Sequence, residues 1–265
     1  MGKYFSIFKT SYKQESKTLA NSLTAVVSFA VIIYIFQQLW QYIYGGNGGG
    51  ELIKGYSLKM MLWYMIMAEV LMYSVNARKT TREFSNDIKS GKIAYQLNKP
   101  YNYYFCKVAT SMGENLWTTC FLLPTALLLG LIMLGGIPNF STWYVLPILV
   151  ALILAILLTS IVYGTIGLLA FWVEEASPFT WIVQKIQMLF GLFFPPEFFP
   201  SWVQPIITYS PVFAMMSGPC KLLANFSWDL WLKVSISQIA YLAFFVGLGL
   251  LMYNKGTKKV NVNGG

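Results

Sequence analysis

Six apolar segments constrain this chain more than any other feature of its sequence. They cover residues about 21–44, 56–76, 104–134, 143–173, 179–194 and 230–253, and a Gly-rich turn at 45–50 follows the first. A helix needs roughly 20 mostly apolar residues to cross a bilayer, at a rise of about 1.5 Å each. The fifth segment is short, and the others reach that length. The pattern predicts an all-α, polytopic membrane protein in which residues 1–265 form one transmembrane domain of six spans.

The charge content excludes several other classes of protein. Only 11% of the residues are charged, whereas about 25% is usual for a soluble domain. The chain has no His and its three Cys form no CxxC motif, so neither a metal site nor a disulfide framework is predicted. The net charge of +9 comes from residues that flank the apolar segments, which argues against nucleic-acid binding.

The distribution of Lys and Arg predicts the orientation. Basic residues are enriched on the cytosolic side of membrane proteins. They concentrate here in the N-terminal tail, in the 77–107 connection and in the C-terminal tail: Lys3, Lys9, Lys13, Lys17; Arg78, Lys79, Arg82, Lys89, Lys92, Lys99, Lys107; Lys255, Lys258, Lys259. Both termini are therefore predicted to be cytosolic, and an even number of spans agrees with this.

Tryptophans near the predicted outer ends of spans suggest an interfacial aromatic belt. The set comprises Trp40, Trp63, Trp143, Trp202, Trp228 and Trp231.

The basic segment after the second span contains a predicted helix over about 80–90. Thr80-x-x-Glu83 has the pattern of a capping box, and Gly91 suits the left-handed position that ends a helix. Phe84 and Ile88 are four residues apart and share one face. Two interpretations follow: an amphipathic helix resting on the bilayer, or a docking helix for a cytosolic partner.

Two motifs carry a resemblance to a known family. The first is Ile88-x-x-Gly91-x-Ile93-Ala94-Tyr95-x-Leu97-x-x-Pro100. The second is Gly191-x-Phe193-Phe194-Pro195-Pro196-x-Phe198-Phe199-Pro200-x-Trp202, followed by Ser210-Pro211. Both resemble segments of ABC-type-2 export permeases, the membrane subunits of ATP-binding-cassette exporters, and both stand at matching places in a six-span layout.

The resemblance implies roles for both motifs. The cytosolic helix would be a coupling helix that docks into a separate ATPase, with these contact residues: Arg82, Glu83, Phe84, Asp87, Ile88 and Gly91. The Pro-rich segment, about 193–219, would form short re-entrant helices that close the pathway from outside. Its candidate residues are Phe193, Phe194, Pro195, Phe198, Pro200 and Trp202. From the residues alone, an ordinary extracellular loop stays open as an alternative.

Carboxylates near the spans are the remaining candidates. Glu69 lies inside the second span, where a charge costs about 2.5–3.5 kcal/mol on insertion scales. An interhelical hydrogen bond, a place in the path or dimer interface, and proton coupling are all open for it. We expect Glu114 to snorkel or to pair with Lys107. Ser177 and Pro178 are predicted as the cap and first residue of the fifth span, with Glu174 and Glu175 favoured by the helix dipole.

The sequence contains no GxxxxGK[ST] motif for ATP, so energy must come from another chain or from an ion gradient. We predict no cofactor in this chain, with ATP and Mg on the partner ATPase. The resemblance implies an ATPase dimer, a second permease in a homodimer or a heterodimer, with the heterodimer slightly favoured, and a prokaryotic plasma membrane. The apolar spans favour a hydrophobic or amphipathic substrate. An ion-driven secondary transporter and a non-transporting scaffold are the alternatives.

Overall fold

A computed structural model describes residues 2–17, 19–45 and 52–263 of the chain. Within these residues the regular structure is helical, which agrees with the predicted all-α class. The helices are α1 Gly2–Glu15, α2 Leu19–Ile43, α3 Leu58–Ser74, α4 Ala77–Lys89, α5 Lys92–Leu97, α6 Tyr103–Leu134, α7 Val145–Gly167, α8 Ala170–Val173, α9 Ser177–Gln187, α10 Gln204–Thr208, α11 Gly218–Ala224 and α12 Trp228–Asn263. The predicted turn at 45–50 lies outside the described residues beyond Gly45.

Shorter helical turns join some of these elements. Two are 3₁₀ turns, Thr142–Tyr144 and Pro196–Phe198, and two are π-helical turns, Met188–Leu192 and Phe213–Ser217.

Five stretches of the described residues are long and apolar enough to cross a membrane. They are Val26–Ile43, Leu58–Lys89, Tyr103–Leu134, Thr142–Val173 and Trp228–Lys259. The predicted fifth span, 179–194, does not reach this length by itself, because α9 ends at Gln187 and its π-helical extension ends at Leu192. The chain is a multi-pass membrane protein, and the count of six spans stays a prediction.

Helix α3 forms the centre of the bundle. Its side chains from Met61 to Leu71 are all buried, and it packs against α2, α6 and α11. A helix that is apolar on every face is stable only when neighbours surround it. The outer faces of α6 and α12 instead expose large apolar side chains such as Ile132 and Leu251, as contact with lipid requires.

Residues Gly2–Glu15, which were predicted only to be a basic cytosolic tail, form helix α1. It packs along α6, where the Tyr4 hydroxyl accepts a hydrogen bond of 2.9 Å from the Asn102 backbone N–H. The rings of Tyr12 and Trp117 meet edge to face, with centroids 5.3 Å apart. The spacing of Tyr4, Phe8 and Tyr12, four residues apart each time, is the signal that identifies this packed face.

The proposed tryptophan belt needs correction. Trp143, Trp202 and Trp228 are exposed, as belt residues should be, but Trp40 and Trp63 are buried in the main core. An aromatic side chain at a span end can pack inward as readily as it can face the headgroups, so position alone did not separate the two cases.

Candidate functional site

The helix after the second span begins earlier than the sequence predicted. Asn76 is its N-cap, and its side-chain oxygen accepts a hydrogen bond from the Lys79 N–H at 3.2 Å. Thr80 therefore lies inside α4, where its hydroxyl donates to the Asn76 carbonyl oxygen at 3.3 Å. The proposed capping box of Thr80 and Glu83 is wrong, because an Asn one turn earlier already satisfies the backbone donors. Gly91 has φ 69°, which confirms the left-handed position after the helix.

One face of α4 is packed into the membrane domain through Phe84. Its ring is fully buried and meets the ring of Tyr103 edge to face at 5.4 Å. At Gly167, the last residue of α7, an added Cβ atom would lie 2.4 Å from Cδ2 of Phe84. Only a glycine lets the α7 backbone approach the ring this closely, so the contact joins α4 to the end of a long apolar helix.

Acidic side chains of α4 bind a lysine of α6. The Lys107 ammonium lies 2.9 Å from a Glu83 oxygen and 3.1 Å from an Asp87 oxygen. The Tyr103 hydroxyl donates a second hydrogen bond to Asp87 at 2.8 Å. A buried carboxylate is tolerable when it is paired and hydrogen-bonded in this way. The network fixes α4 against α6.

Further contacts connect α4 with the start of α9. The hydroxyls of Thr81 and Thr180 are hydrogen-bonded at 2.6 Å, and both residues are buried. The Ser85 hydroxyl accepts a bond of 3.2 Å from the Ala176 N–H. Helix α4 thus contacts α6, α7 and α9. A movement of α4 would therefore displace side chains of all three helices.

An ion pair completes the link between α4 and α9. The Lys89 ammonium lies 2.9 Å from Glu175, and hydrogen bonds from Ser177 and from Lys89 lower the pKa of Glu175 to about 2. Helix α9 begins at Ser177 after an Ala176 cap, which corrects the predicted Ser177 cap. Glu175 accepts from the Ser177 N–H at 3.2 Å, as a carboxylate at a helix N-terminus is expected to do.

The outer face of α4 and α5 is open. We call it the α4–α5 surface and define it by the exposed residues Arg82, Asn86, Lys89, Gly91, Lys92 and Tyr95. Tyr95 is 66% exposed, and the Lys99 ammonium lies 4.8 Å from its ring centroid. The surface contains an exposed arginine, Arg82, and an exposed aromatic ring, and both residue types are enriched at protein interfaces.

The six predicted ATPase-contact residues fall into three groups. Arg82 and Gly91 are exposed, and Glu83 and Ile88 are partly buried. Phe84 and Asp87 are buried, so their side chains serve the packing of α4 and are not part of the α4–α5 surface. Sequence spacing put Phe84 and Ile88 on one face correctly, but it could not tell which neighbour that face meets.

The two predicted intramembrane acids have different surroundings. Glu114 pairs with Lys79 at 2.7 Å, and Lys107 is taken by the α4 acids, so the predicted Lys107 partner is wrong. Glu69 is 4% exposed and borders an apolar cavity. Among the described residues it forms no hydrogen bond or ion pair, so the interhelical hydrogen bond that was one of its expected roles is absent there.

The Pro-rich segment packs on the C-terminal end of α2 and on the residues just before α3. Phe198 lies 5.7 Å from the Trp40 ring and 5.8 Å from the Tyr56 ring, measured between centroids. Glu197 joins these helices to α11, because it pairs with Lys221 and accepts a hydrogen bond of 3.1 Å from the Tyr56 hydroxyl.

The remaining candidates of this segment differ in burial. Phe194 packs edge to face on Trp40 at 6.0 Å, and Phe193 lies 5.9 Å from the Phe36 ring. Pro195 is buried, whereas Pro200 and Trp202 are exposed. The segment is thus a packed layer of short helices over much of its length and exposed at the 200–202 turn.

Several residues that shape the site were not found from the sequence. Gly167, Tyr103 and Thr180 have no local motif, since their role depends on which helices become neighbours. Lys107 was recognised as a basic residue of the connection and as a possible partner of Glu114, but its pairing with Glu83 and Asp87 was missed.

Long apolar helices around a buried core define a multi-pass membrane protein. A family model described as ABC-2 family transporter protein matches residues 23–264. The chain therefore belongs to the ABC-2 transporter family, as its two motifs predicted, and α1 precedes the matched region. A comparison with curated proteins finds no match. Members of this family are permease components without an ATPase site of their own, which implies an ABC ATPase as partner.

Proposed function

We propose that the chain is one of two membrane subunits of an ABC exporter and forms half of its translocation pathway. In this proposal it has six spans with both termini in the cytosol, and α9 with its π-helical extension is the fifth. ATP hydrolysis on a separate ATPase dimer drives the transport of a hydrophobic or amphipathic substrate. A second, different permease chain completes the pathway in the plasma membrane of a prokaryote.

The observation that supports this function best is the fixation of α4. Its exposed face is free for a partner, while its buried face contacts α6, α7 and α9. A helix held in this way transmits a displacement at its surface to three membrane helices, because packed interiors resist deformation. The α4–α5 surface is the proposed ATPase contact, and the segment 193–219 is the proposed outer closure.

The test is recovery of an ATPase subunit with the tagged chain from native membranes. We expect the wild-type chain to retain it, and we expect Tyr95→Asp or Arg82→Glu to reduce its recovery about tenfold or more, as loss of an interface anchor does. Tyr209→Asp is the matched control, because Tyr209 is 74% exposed and lies in the segment of the proposed outer closure. All variants should keep the wild-type melting temperature.

Equal recovery of the ATPase with Tyr95→Asp, Arg82→Glu and Tyr209→Asp would contradict the proposed contact. A chain that transports substrate in response to a proton gradient, without any ATPase in the preparation, would contradict the proposed function as a whole.

A further inference from the structure

A cavity of about 380 Å³ lies between α2, α3 and the π-helical turn after α9. We call it the Glu69 chamber and describe it by six of its lining residues: Glu69, Ile35, Phe36, Tyr73, Met188 and Phe193. Its volume is within the range of small-molecule sites in proteins, and its walls are apolar and aromatic apart from one carboxyl group. Such a cavity suits an organic molecule better than it suits a hydrated ion.

The carboxyl group in this chamber lacks a cationic partner within the described part of the chain. Helix α2 contains no Lys or Arg, and Lys59 of α3 lies near the opposite end of that helix. Lys185 contacts a wall residue, since its ammonium lies 3.8 Å from the sulfur of Met188. Lys185 is exposed and forms no ion pair with Glu69, since their charged atoms are more than 4.0 Å apart.

A buried carboxylate without a partner is unfavourable, and a cation bound directly beside it offsets this cost. The aromatic rings of Phe36, Tyr73 and Phe193 would add attraction for a cation, because the face of such a ring is electronegative. We propose that the Glu69 chamber binds lipophilic organic monocations, with Glu69 as the counter-ion. This inference rests on the proposed function, because it names the class of substrate that the pathway accepts.

A second cavity offers a route to the chamber. It has a volume of about 240 Å³ and is lined by polar residues that include Lys79, Glu114 and Asn115. Tyr73 borders both cavities, so they are neighbours. Glu69 is five residues from the end of α3, or about 7–8 Å at the rise of an α-helix. A cation would pass from the polar cavity near α4, past Tyr73, to Glu69.

Equilibrium dialysis with the complex purified in detergent tests the proposal. The probes are tetraphenylphosphonium, a lipophilic monocation, and tetraphenylborate, an anion of similar size and shape. We expect the wild-type protein to prefer the cation, and we expect Glu69→Gln to weaken its binding about tenfold or more, the effect of removing one close charge partner. Glu69→Asp, which keeps the charge, should retain most of the affinity. Asp229→Asn is the matched control, because Asp229 is an exposed carboxylate at the start of α12, away from both cavities that the proposal uses.

Equal binding of the cation by wild type and Glu69→Gln, or no preference for the cation over the anion in the wild type, would overturn the assignment. The wild-type comparison of the two probes decides the matter even if Glu69→Gln fails to fold. Recovery of the ATPase is measured on the same preparations. A chain that keeps its ATPase but shows no charge preference refutes the chamber alone, whereas a wild-type chain that never recovers an ATPase refutes the proposed function.

Discussion

The contact between Phe84 and Gly167 is the most direct mechanical link between the α4–α5 surface and the membrane helices, and a double-mutant cycle can measure it. Phe84→Ala removes a fully buried ring and leaves a cavity. Gly167→Ala adds a methyl group 2.4 Å from Cδ2 and 2.8 Å from Cγ of that ring, well inside van der Waals contact.

The expected magnitudes follow from these two geometries. Truncation of a buried Phe costs about 3–5 kcal/mol, and overpacking by one methyl group costs about 1–3 kcal/mol. In the double variant the added methyl group no longer meets a ring, so the overpacking cost disappears. We therefore expect the double variant to be no less stable than Phe84→Ala alone, with an interaction free energy of about −1 to −3 kcal/mol.

Stability is measured as unfolding of the purified chain in detergent, followed by tryptophan fluorescence, and ATPase recovery is measured in parallel. Gly130→Ala is a suitable comparison, because its added methyl group would meet Trp63 at 2.6 Å, in the main core and away from Phe84. Its cost should add to that of Phe84→Ala. If the Phe84 and Gly167 changes are also additive, α4 does not contact α7 through this ring and the reasoning fails.

Three further predictions concern the polar contacts and the turn around α4. Lys107→Met should destabilise the chain by about 3 kcal/mol in the unfolding assay, because it leaves Asp87 buried without its cation. Lys79→Met should cost less than about 1 kcal/mol in the same assay, because this lysine is 41% exposed. Gly91→Ala should lower the free energy of unfolding by about 1–2 kcal/mol, because alanine adopts the positive φ of this position only at a cost. Gly91→Asn should lower it less, because asparagine adopts this conformation more readily, and equal losses for the two variants would refute a conformational origin. The folded-state pKa of Glu175 is depressed from 4.5 to about 2, so its carboxylate stabilises the fold fully above about pH 4.5 and loses this effect as the pH falls toward 2. The melting temperatures of wild type and Glu175→Gln should therefore converge as the pH falls from about 4.5 toward 2, and a constant difference would contradict this.

Hydropathy and charge were sufficient to predict the all-helical membrane class, and two short motifs were sufficient to predict the family. These properties depend on composition and on local spacing. The fifth segment could be predicted only in part. Its short length was visible in the sequence. The π-helical turn Met188–Leu192 was not, because it depends on packing: the Tyr64 hydroxyl donates to the Gly191 carbonyl oxygen at 2.6 Å.

The site was less predictable than the fold because its interactions are non-local. Gly91 could be assigned from its own place in the chain, and it has the expected backbone conformation. The partner of Glu114 could not be assigned in this way, because the sequence offers both Lys79 and Lys107. Helix α4, which follows the Asn76 cap, turns Glu83 toward Lys107, and Lys79 is then the lysine that pairs with Glu114.

The two π-helical turns are places where the chain can change its length by one residue. In each turn a backbone N–H reaches back five residues, from Phe193 to the Met188 carbonyl and from Gly218 to the Phe213 carbonyl. Each turn therefore holds one residue more than an α-helix would. Deleting that residue would restore an α-helical turn and leave the segment beyond it nearly in place, whereas deleting a residue from an α-helix rotates everything beyond it by about 100°. Single-residue deletions within these two turns should therefore be tolerated better than single-residue deletions in α7 or α12.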